Sequence, residues 1–133
     1  MKSIFSIQWL SSIQPRKQRK FRANAPLHIK GSFLSAKLSK ELQEKQKTRS
    51  VRVRTGDKVK VLRGQFKGKT GTVDRVDINK ERIYVSGVET VKKEGGKVPY
   101  PLHASNVMIT SLAQDKRRFK KSAAASSKPR GDA

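Results

Sequence analysis

Short runs in which apolar and polar residues alternate constrain this chain's fold more than any other feature. In DKVKVL, Val59 and Val61 alternate with lysines, as in a strand that buries one face. RIYVSGV and NVMITS, further along the chain, are similar candidate strands. About five such short strands within residues 51–113 predict a mostly-β fold, a small open or closed β-barrel.

The candidate strand TVDRVDI departs from strict alternation, because Val73 and Val76 are three residues apart. A bulge near Asp74 and Arg75 would return the apolar side chains to one face, and small barrels use such bulges to curve. The Asn-Lys pair at 79–80 predicts a turn into the next strand. KKEGGKVPYP, with its glycines and prolines, predicts a loop.

A helical stripe precedes the strands. Leu34, Leu38 and Leu42 recur every four residues in and just before SAKLSKELQEKQK. We therefore expect a short helix over residues 35–47, with Ser35 as its N-cap. Its leucines would pack on the β domain.

Positive charge is concentrated at the two ends of the chain. The 133 residues carry a formal net charge of +22. Residues 1–30 contain seven Lys/Arg and no Asp/Glu, and residues 114–133 contain seven against two. We expect both ends to be basic extended arms that become ordered on binding. The predicted organisation is a basic extension (1–34), a short helix and linker (35–50), the β domain (51–113) and a basic tail (114–133).

Several classes of function are disfavoured by composition. The chain has no cysteine and only two histidines, 75 positions apart, so we expect no metal site and no cofactor. No pair of residues with acid–base or nucleophile–base spacing emerges, so we expect no enzyme. The apolar N-terminus MKSIFSIQWLSSI is far shorter than the roughly 20 residues that span a bilayer. It also lacks the features of a signal peptide, so we expect no membrane insertion and a cytoplasmic protein.

The charge indicates an anionic partner. Acidic lipids would require a basic amphipathic helix of useful length, and the sequence predicts none. Regularly spaced phosphates of nucleic acid fit the excess charge better.

The stretch LRGQFKGKTGTV imitates a nucleotide-binding loop. A P-loop has four residues between its first glycine and its Gly-Lys-Ser/Thr, whereas Gly64 and Gly68 enclose three. A strand pattern follows where the P-loop needs a helix, so we reject an NTPase. Gly64, Gly68 and Gly71 are instead expected to take positive φ, turn the chain tightly and let phosphates approach the backbone.

The same region resembles a known motif. GDKVKVLRGQFKGKTGTVDRV is similar to the KOW motif, a strand–loop–strand unit of SH3-like barrels in ribosomal proteins and transcription elongation factors. YVSGVETVKK followed by HASNVMI resembles the large-subunit ribosomal protein family uL24. QPRKQRKFRANAPLHIKGSFLSAKLSKEL resembles the N-terminal extension of its archaeal and eukaryotic members, the latter called L26.

This resemblance covers residues 14–121 and departs in two places. Met1–Ile13 has no recognised counterpart, and KQKTRSVRVRTGD lacks the Tyr-Gly and Leu-Pro expected after the helix. The resemblance implies an SH3-like barrel and a structural, rRNA-binding protein of the large ribosomal subunit. It further implies binding near the 5′ end of the rRNA, a role as assembly initiator and a position outside the polypeptide exit tunnel.

The partners implied are large-subunit rRNA and neighbouring ribosomal proteins, with the chain a monomer within the ribosome. Nascent chains or a translocon at the tunnel exit are open as further partners. The alternative is a KOW transcription elongation factor that binds RNA polymerase and RNA, a class that normally carries a separate α/β domain.

Basic residues and loop glycines are the candidate rRNA contacts, since arginine can bind phosphate through two hydrogen bonds and a histidine can stack on a base. They are Arg16, Lys17, Arg19, Lys20, Arg22, His28, Lys30, Arg63, Gly64, Lys67, Gly68, Lys69, Gly71, Lys92, Lys93, Arg117, Arg118, Lys120 and Lys121. His103, before the last strand, is expected to be structural.

Overall fold

The computed structural model describes residues 5–6, 8, 12–115 and 118–119 of the chain. Its helices are α1 (Pro15–Asn24), α2 (Leu27–Phe33), α3 (Lys40–Gln46) and a 3₁₀ turn, Ala104–Asn106. The strands in the described part are β1 (Ser35–Leu38), β2 (Ser50–Arg52), β3 (Lys58–Val61), β4 (Thr70–Asp77), β5 (Arg82–Val85), β6 (Glu89–Val91), β7 (Lys97–Pro99) and β8 (Val107–Ser111).

Six of these strands form one mixed sheet in the order β2-β1-β8-β3-β4-β5. All neighbours are antiparallel except β1 and β8, which are parallel. β6 and β7 form a separate hairpin. The prediction of a small, mostly-β, SH3-like fold is confirmed, and the sheet does not close into a barrel.

The core follows the alternation seen in the sequence. In β3, Val59 and Val61 are buried while Lys58 and Lys60 are exposed. Ile83 and Val85 of β5 likewise face inward. These side chains pack with those of β1 and β8, so that residues far apart in the chain share one apolar cluster.

The predicted bulge lies in β4. Val73 pairs with Val85, but the next pair is Arg75 with Tyr84, so Asp74 has no opposite residue. The extra residue compensates for the three-residue spacing of Val73 and Val76. The predicted turn over residues 79–80 is also present.

The helix predicted from Ser35 begins later. Residues 35–38 form β1, and α3 starts only at Lys40, after Ser39. Ala36 and Leu38 point into the core, and β1 bonds to both β2 and β8. These long-range hydrogen bonds outweigh the local helical spacing. The expected packing of the leucines holds, since Leu34 and Leu38 are fully buried and Leu42 lies against the core.

The N-terminal basic segment is helical where we expected an extended arm, so that expectation is wrong for residues 15–33. Pro15 stands at the start of α1, where its fixed φ suits a helix and its missing N–H costs nothing. Phe21 of α1 lies 6.5 Å from Phe33 of α2, measured between ring centroids. This ring contact links α2 to α1.

A buried ion pair joins the C-terminal segment to the sheet. The two terminal guanidinium nitrogens of Arg118 donate to the carboxylate of Asp57, each at 2.7 Å. The two side chains are 3% and 0% exposed. Asp57 also accepts from the backbone N–H groups of Arg54 and Ala113, at 2.9 Å each. These hydrogen bonds compensate part of the cost of burying the two charges, and removal of either partner would leave the other charge buried and uncompensated.

Replacing Arg118 by Met should lower the free energy of unfolding by about 3–5 kcal/mol, because it leaves the Asp57 carboxylate buried without its counter-charge. Denaturant titration at neutral pH measures the change. Arg63→Met, at an exposed loop position, is the matched control and should be nearly neutral. Equal stability of the two variants would show that the pair contributes little.

Stability should also fall in acid because of the same pair. Burial raises the pKa of Asp57, but hydrogen bonds from Arg118, Ala113 and Arg54 outweigh it and bring the pKa below the ordinary 3.8. The ionised carboxylate therefore stabilises the fold above pH 3.8, and this contribution is lost as the pH falls through the lowered folded-state pKa.

Unfolding midpoints measured from pH 6 down to pH 2 should show a steeper loss for the natural chain than for Asp57→Asn, which is already less stable at pH 6. Glu44→Gln changes an exposed carboxyl and should follow the natural chain. Parallel curves for the natural chain and Asp57→Asn would contradict this assignment.

Candidate nucleic-acid interface

The glycine loop between β3 and β4 is a tight, hydrogen-bonded turn. The N–H of Gly68 donates to the carbonyl of Val61 at 2.8 Å. In turn, the N–H of Val61 donates to the carbonyl of Lys69 at 2.8 Å. Gly64 and Gly68 have φ of +94° and +89°, as predicted. Because these conformations disfavour side chains, glycine is the residue that lets the backbone turn here.

Gly71 has a different role, and the prediction of a positive φ for it is wrong. It lies in β4 opposite Val59 of β3. A Cβ atom placed there would collide with the carbonyl oxygen of Ser86 and lie 2.7 Å from Cγ1 of Val85. Glycine is therefore required by the close approach of the neighbouring chain.

Phe66 anchors the loop to the sheet. Its ring is 8% exposed and lies 5.1 Å from the ring of Tyr100, between centroids. The ammonium group of Lys69 lies 5.1 Å above the Phe66 ring and donates to the carbonyl of Gly87 at 3.4 Å. Lys67 and Arg63 are exposed on the same loop. The loop thus presents Arg63 and Lys67 as exposed cations. A third cation, Lys69, also helps to hold the loop in place.

Cations from distant parts of the sequence converge on one cavity, which we call the basic cavity. It has a volume of about 350 Å³. The N-terminal helices contribute Arg19, Arg22 and Lys30, and the β4–β5 turn contributes Lys80 and Arg82. Sequence reasoning missed the last two residues. The only local signal was that Lys80 lies in a turn and Arg82 directly follows it. Nothing in the sequence indicated that this turn lies beside α1.

One acid lies in this cluster. Glu81 forms an ion pair with Arg22, whose guanidinium also lies 5.3 Å above the Phe33 ring. The Arg22 side chain remains 46% exposed. Five cations against one carboxylate leave the cavity strongly positive, an arrangement that attracts anions.

His103 lines the basic cavity as well. Its Nδ1 accepts from the N–H of Ser105 at 3.2 Å and lies 2.8 Å from the Ser105 hydroxyl. Burial lowers the pKa of His103, and the charges of Arg82 and Arg22 lower it further, against the opposing effect of Glu81. The imidazole is therefore neutral at pH 7, which agrees with its expected structural role.

The other predicted contacts fall into three groups. Arg16, Lys17 and Lys20 are exposed on α1, and His28 is exposed on α2. Lys92 and Lys93 are exposed between β6 and β7, away from the main sheet. Arg118 does not face a partner, because its guanidinium is committed to Asp57, so its assignment to RNA binding is wrong. Arg117, Lys120 and Lys121 lie outside the described residues.

The described residues contain neither a metal-ligand cluster nor a long apolar helix. No group of three or more His, Cys, Asp and Glu side chains is placed to hold a metal ion in that part of the chain. None of its helices combines the length and the apolar character that a bilayer crossing requires.

Known proteins match most of this chain. The model of a family described as ribosomal proteins, L26 in eukaryotes and L24 in archaea, matches residues 12–122. The large ribosomal subunit protein uL24 of Methanospirillum hungatei is 58% identical over 111 residues, which is 83% of this chain and 92% of that protein. The protein of the same name from Methanocorpusculum labreanum is 55% identical over 103 residues, 77% of this chain and 85% of its own length.

Replacing Gly71 by Ala should destabilise the fold by about 1–3 kcal/mol, because the added methyl group forces the Ser86 backbone away. Gly96→Ala is the matched control, since open space surrounds Gly96 and its φ is not positive. Thermal melts of both variants test this. If Gly71→Ala is as stable as Gly96→Ala, the backbone at Ser86 moves away from residue 71 without a cost in stability, and the prediction is wrong.

Proposed function

The chain belongs to the ribosomal protein family that comprises L26 of eukaryotes and L24 of archaea, and on this premise we propose that it binds large-subunit rRNA through the surface around the basic cavity. The family makes it a structural constituent of the large ribosomal subunit and not an enzyme. Its place is therefore in the cytoplasm, on the ribosome, with rRNA and other ribosomal proteins around it.

The convergence of cations on the basic cavity carries the proposal. Arg19, Arg22 and Lys30 approach Lys80 and Arg82 although like charges repel, and Glu81 is the only acid among the described residues that line the cavity. Bringing these groups together costs electrostatic free energy in the free protein. Phosphate groups of RNA would relieve that repulsion and release their counterions.

The glycine loop extends this surface. Arg63 and Lys67 are exposed there, and the space beside Gly64 and Gly68 is open. A phosphate can therefore come close to the backbone of the loop. The exposed α1 residues Arg16, Lys17 and Lys20, with His28 of α2, would continue the contact along the N-terminal helices.

The finer role rests on the resemblance of the N-terminal extension and the KOW motif to the family. We propose binding near the 5′ end of the large-subunit rRNA, early in assembly, and a position outside the polypeptide exit tunnel. The exposed tip of the β6–β7 hairpin, with Lys92 and Lys93, is a candidate contact for rRNA or for partners at the tunnel exit. The family match over residues 12–122 speaks against the alternative of a transcription elongation factor.

Affinity for large-subunit rRNA fragments should fall linearly with the logarithm of salt concentration, with a slope of about −0.7 to −0.9 per neutralised phosphate. Arg19→Gln, Lys30→Gln and Arg82→Gln should each weaken binding and reduce that slope by about one. Lys45→Gln, an exposed change on α3, is the control and should leave the slope unchanged. A nearly flat salt dependence of the natural chain would refute the proposal.

A further inference from the structure

A second cavity of about 300 Å³ lies next to the basic cavity. Arg82 and His103 line both cavities. Arg63 and Gly64 of the glycine loop also line this second cavity, as do Tyr100 and Pro101. We call it the aromatic cavity, because its wall exposes the ring of Tyr100.

Tyr100 is held as a platform. Its side chain is 39% exposed, while the buried Phe66 packs against it at 5.1 Å between ring centroids. Its N–H donates to the carbonyl of Val88 at 2.9 Å. Two residues later, Leu102 and Ile83 exchange both backbone hydrogen bonds at 2.9 Å. The exposed ring therefore belongs to a backbone segment that is fixed to the sheet. Because the ring is already held in place, stacking of a flat ligand on it would cost the protein little conformational entropy.

Two arginines, Arg63 and Arg82, line the same cavity as this platform. Arg63 is exposed on the loop, where Gly64 has no side chain and no atom lies within 4 Å of the position that a methyl group would occupy. Arg82 is exposed at the border with the basic cavity. A cavity lined by an aromatic ring and two arginines suits a ligand with a flat apolar centre and a negative charge at each end. A nucleotide within an RNA strand has this form, with a base and two flanking phosphates.

We propose that the aromatic cavity takes one unpaired RNA nucleotide, with its base stacked on Tyr100 and its flanking phosphates near Arg63 and Arg82. This inference rests on the proposed rRNA binding and adds to it. Contacts in the basic cavity neutralise phosphates and do not distinguish paired from unpaired RNA. A base within a duplex has both faces covered by its neighbours, so only a bulged or single-stranded nucleotide can reach the tyrosine ring.

The test compares two RNA hairpins with the same stem, one fully paired and one with a single unpaired adenosine. The full chain should bind the bulged hairpin about tenfold more tightly at one fixed salt concentration, since stacking of one base on an aromatic side chain has roughly this effect. Tyr100→Leu should bind both hairpins with equal affinity. Tyr100→Phe keeps the ring and should keep the preference.

Two control variants separate base stacking on Tyr100 from other contributions to RNA binding. Tyr84→Leu removes the other described tyrosine, which lies over Arg75 and lines neither cavity, and should keep the preference. Arg19→Gln should weaken binding of both hairpins by the same factor.

A fluorescent base analogue at the unpaired position should be quenched by the natural chain and not by Tyr100→Leu. Melting curves should show that both proteins are folded.

The outcomes separate the two proposals. Equal binding of the two hairpins by the natural chain, or an undiminished preference in Tyr100→Leu, overturns this inference and leaves rRNA binding intact. Failure to bind either hairpin or large-subunit rRNA fragments overturns both. Titration with free AMP distinguishes a site for a free mononucleotide from a site for a nucleotide within an RNA strand. Tighter binding of AMP than of the bulged hairpin also contradicts the inference.

Discussion

The fold depends on a carboxylate buried in a chain that is otherwise overwhelmingly positive. Asp57 is fully buried just before β3 and accepts two hydrogen bonds from Arg118 and one each from the backbone of Arg54 and Ala113. Arg118 also donates to the carbonyl of Arg52 at 2.6 Å. One ion pair thus connects the end of β2, the start of β3 and the segment after β8. An unpaired charge at this position would be costly, so the pair also limits how these segments can be arranged.

Apart from Arg118, most of the cations in the described part of the chain are exposed. At the basic cavity the repulsion is moderated by two features, the ion pair between Arg22 and Glu81 and the neutral state of His103. The proposed binding of phosphates would change both. A phosphate can compete with Glu81 for Arg22, and it would raise the pKa of the neighbouring imidazole.

The start of β5 organises both cavities. Arg82 belongs to each of them, and the next residue, Ile83, is fully buried and exchanges backbone hydrogen bonds with Leu102. Leu102 in turn separates Tyr100 from His103 along the chain. The cationic and aromatic surfaces consequently share one rigid support, so a phosphate in the first cavity would set the distance at which a base could reach the second.

The sequence by itself determined the features that depend on neighbours in the chain. Alternation predicted β3, the spacing of Val73 and Val76 predicted the bulge at Asp74, and the loop glycines predicted the positive φ of Gly64 and Gly68. Local patterns predicted a small, mostly-β fold, and the resemblance to a family added its SH3-like type and the ribosomal role.

Only the tertiary structure decided the features that depend on distant partners. Residues 35–38 carry a helical spacing but form a strand, because β2 and β8 supply hydrogen bonds on either side. Arg118 looks like any other residue of a basic tail, and its burial follows from the position of Asp57, 61 residues earlier. Lys80 and Arg82 join the basic surface because folding brings their turn to α1. Local patterns record what a segment can form, whereas packing and charge pairing across the fold select among those possibilities.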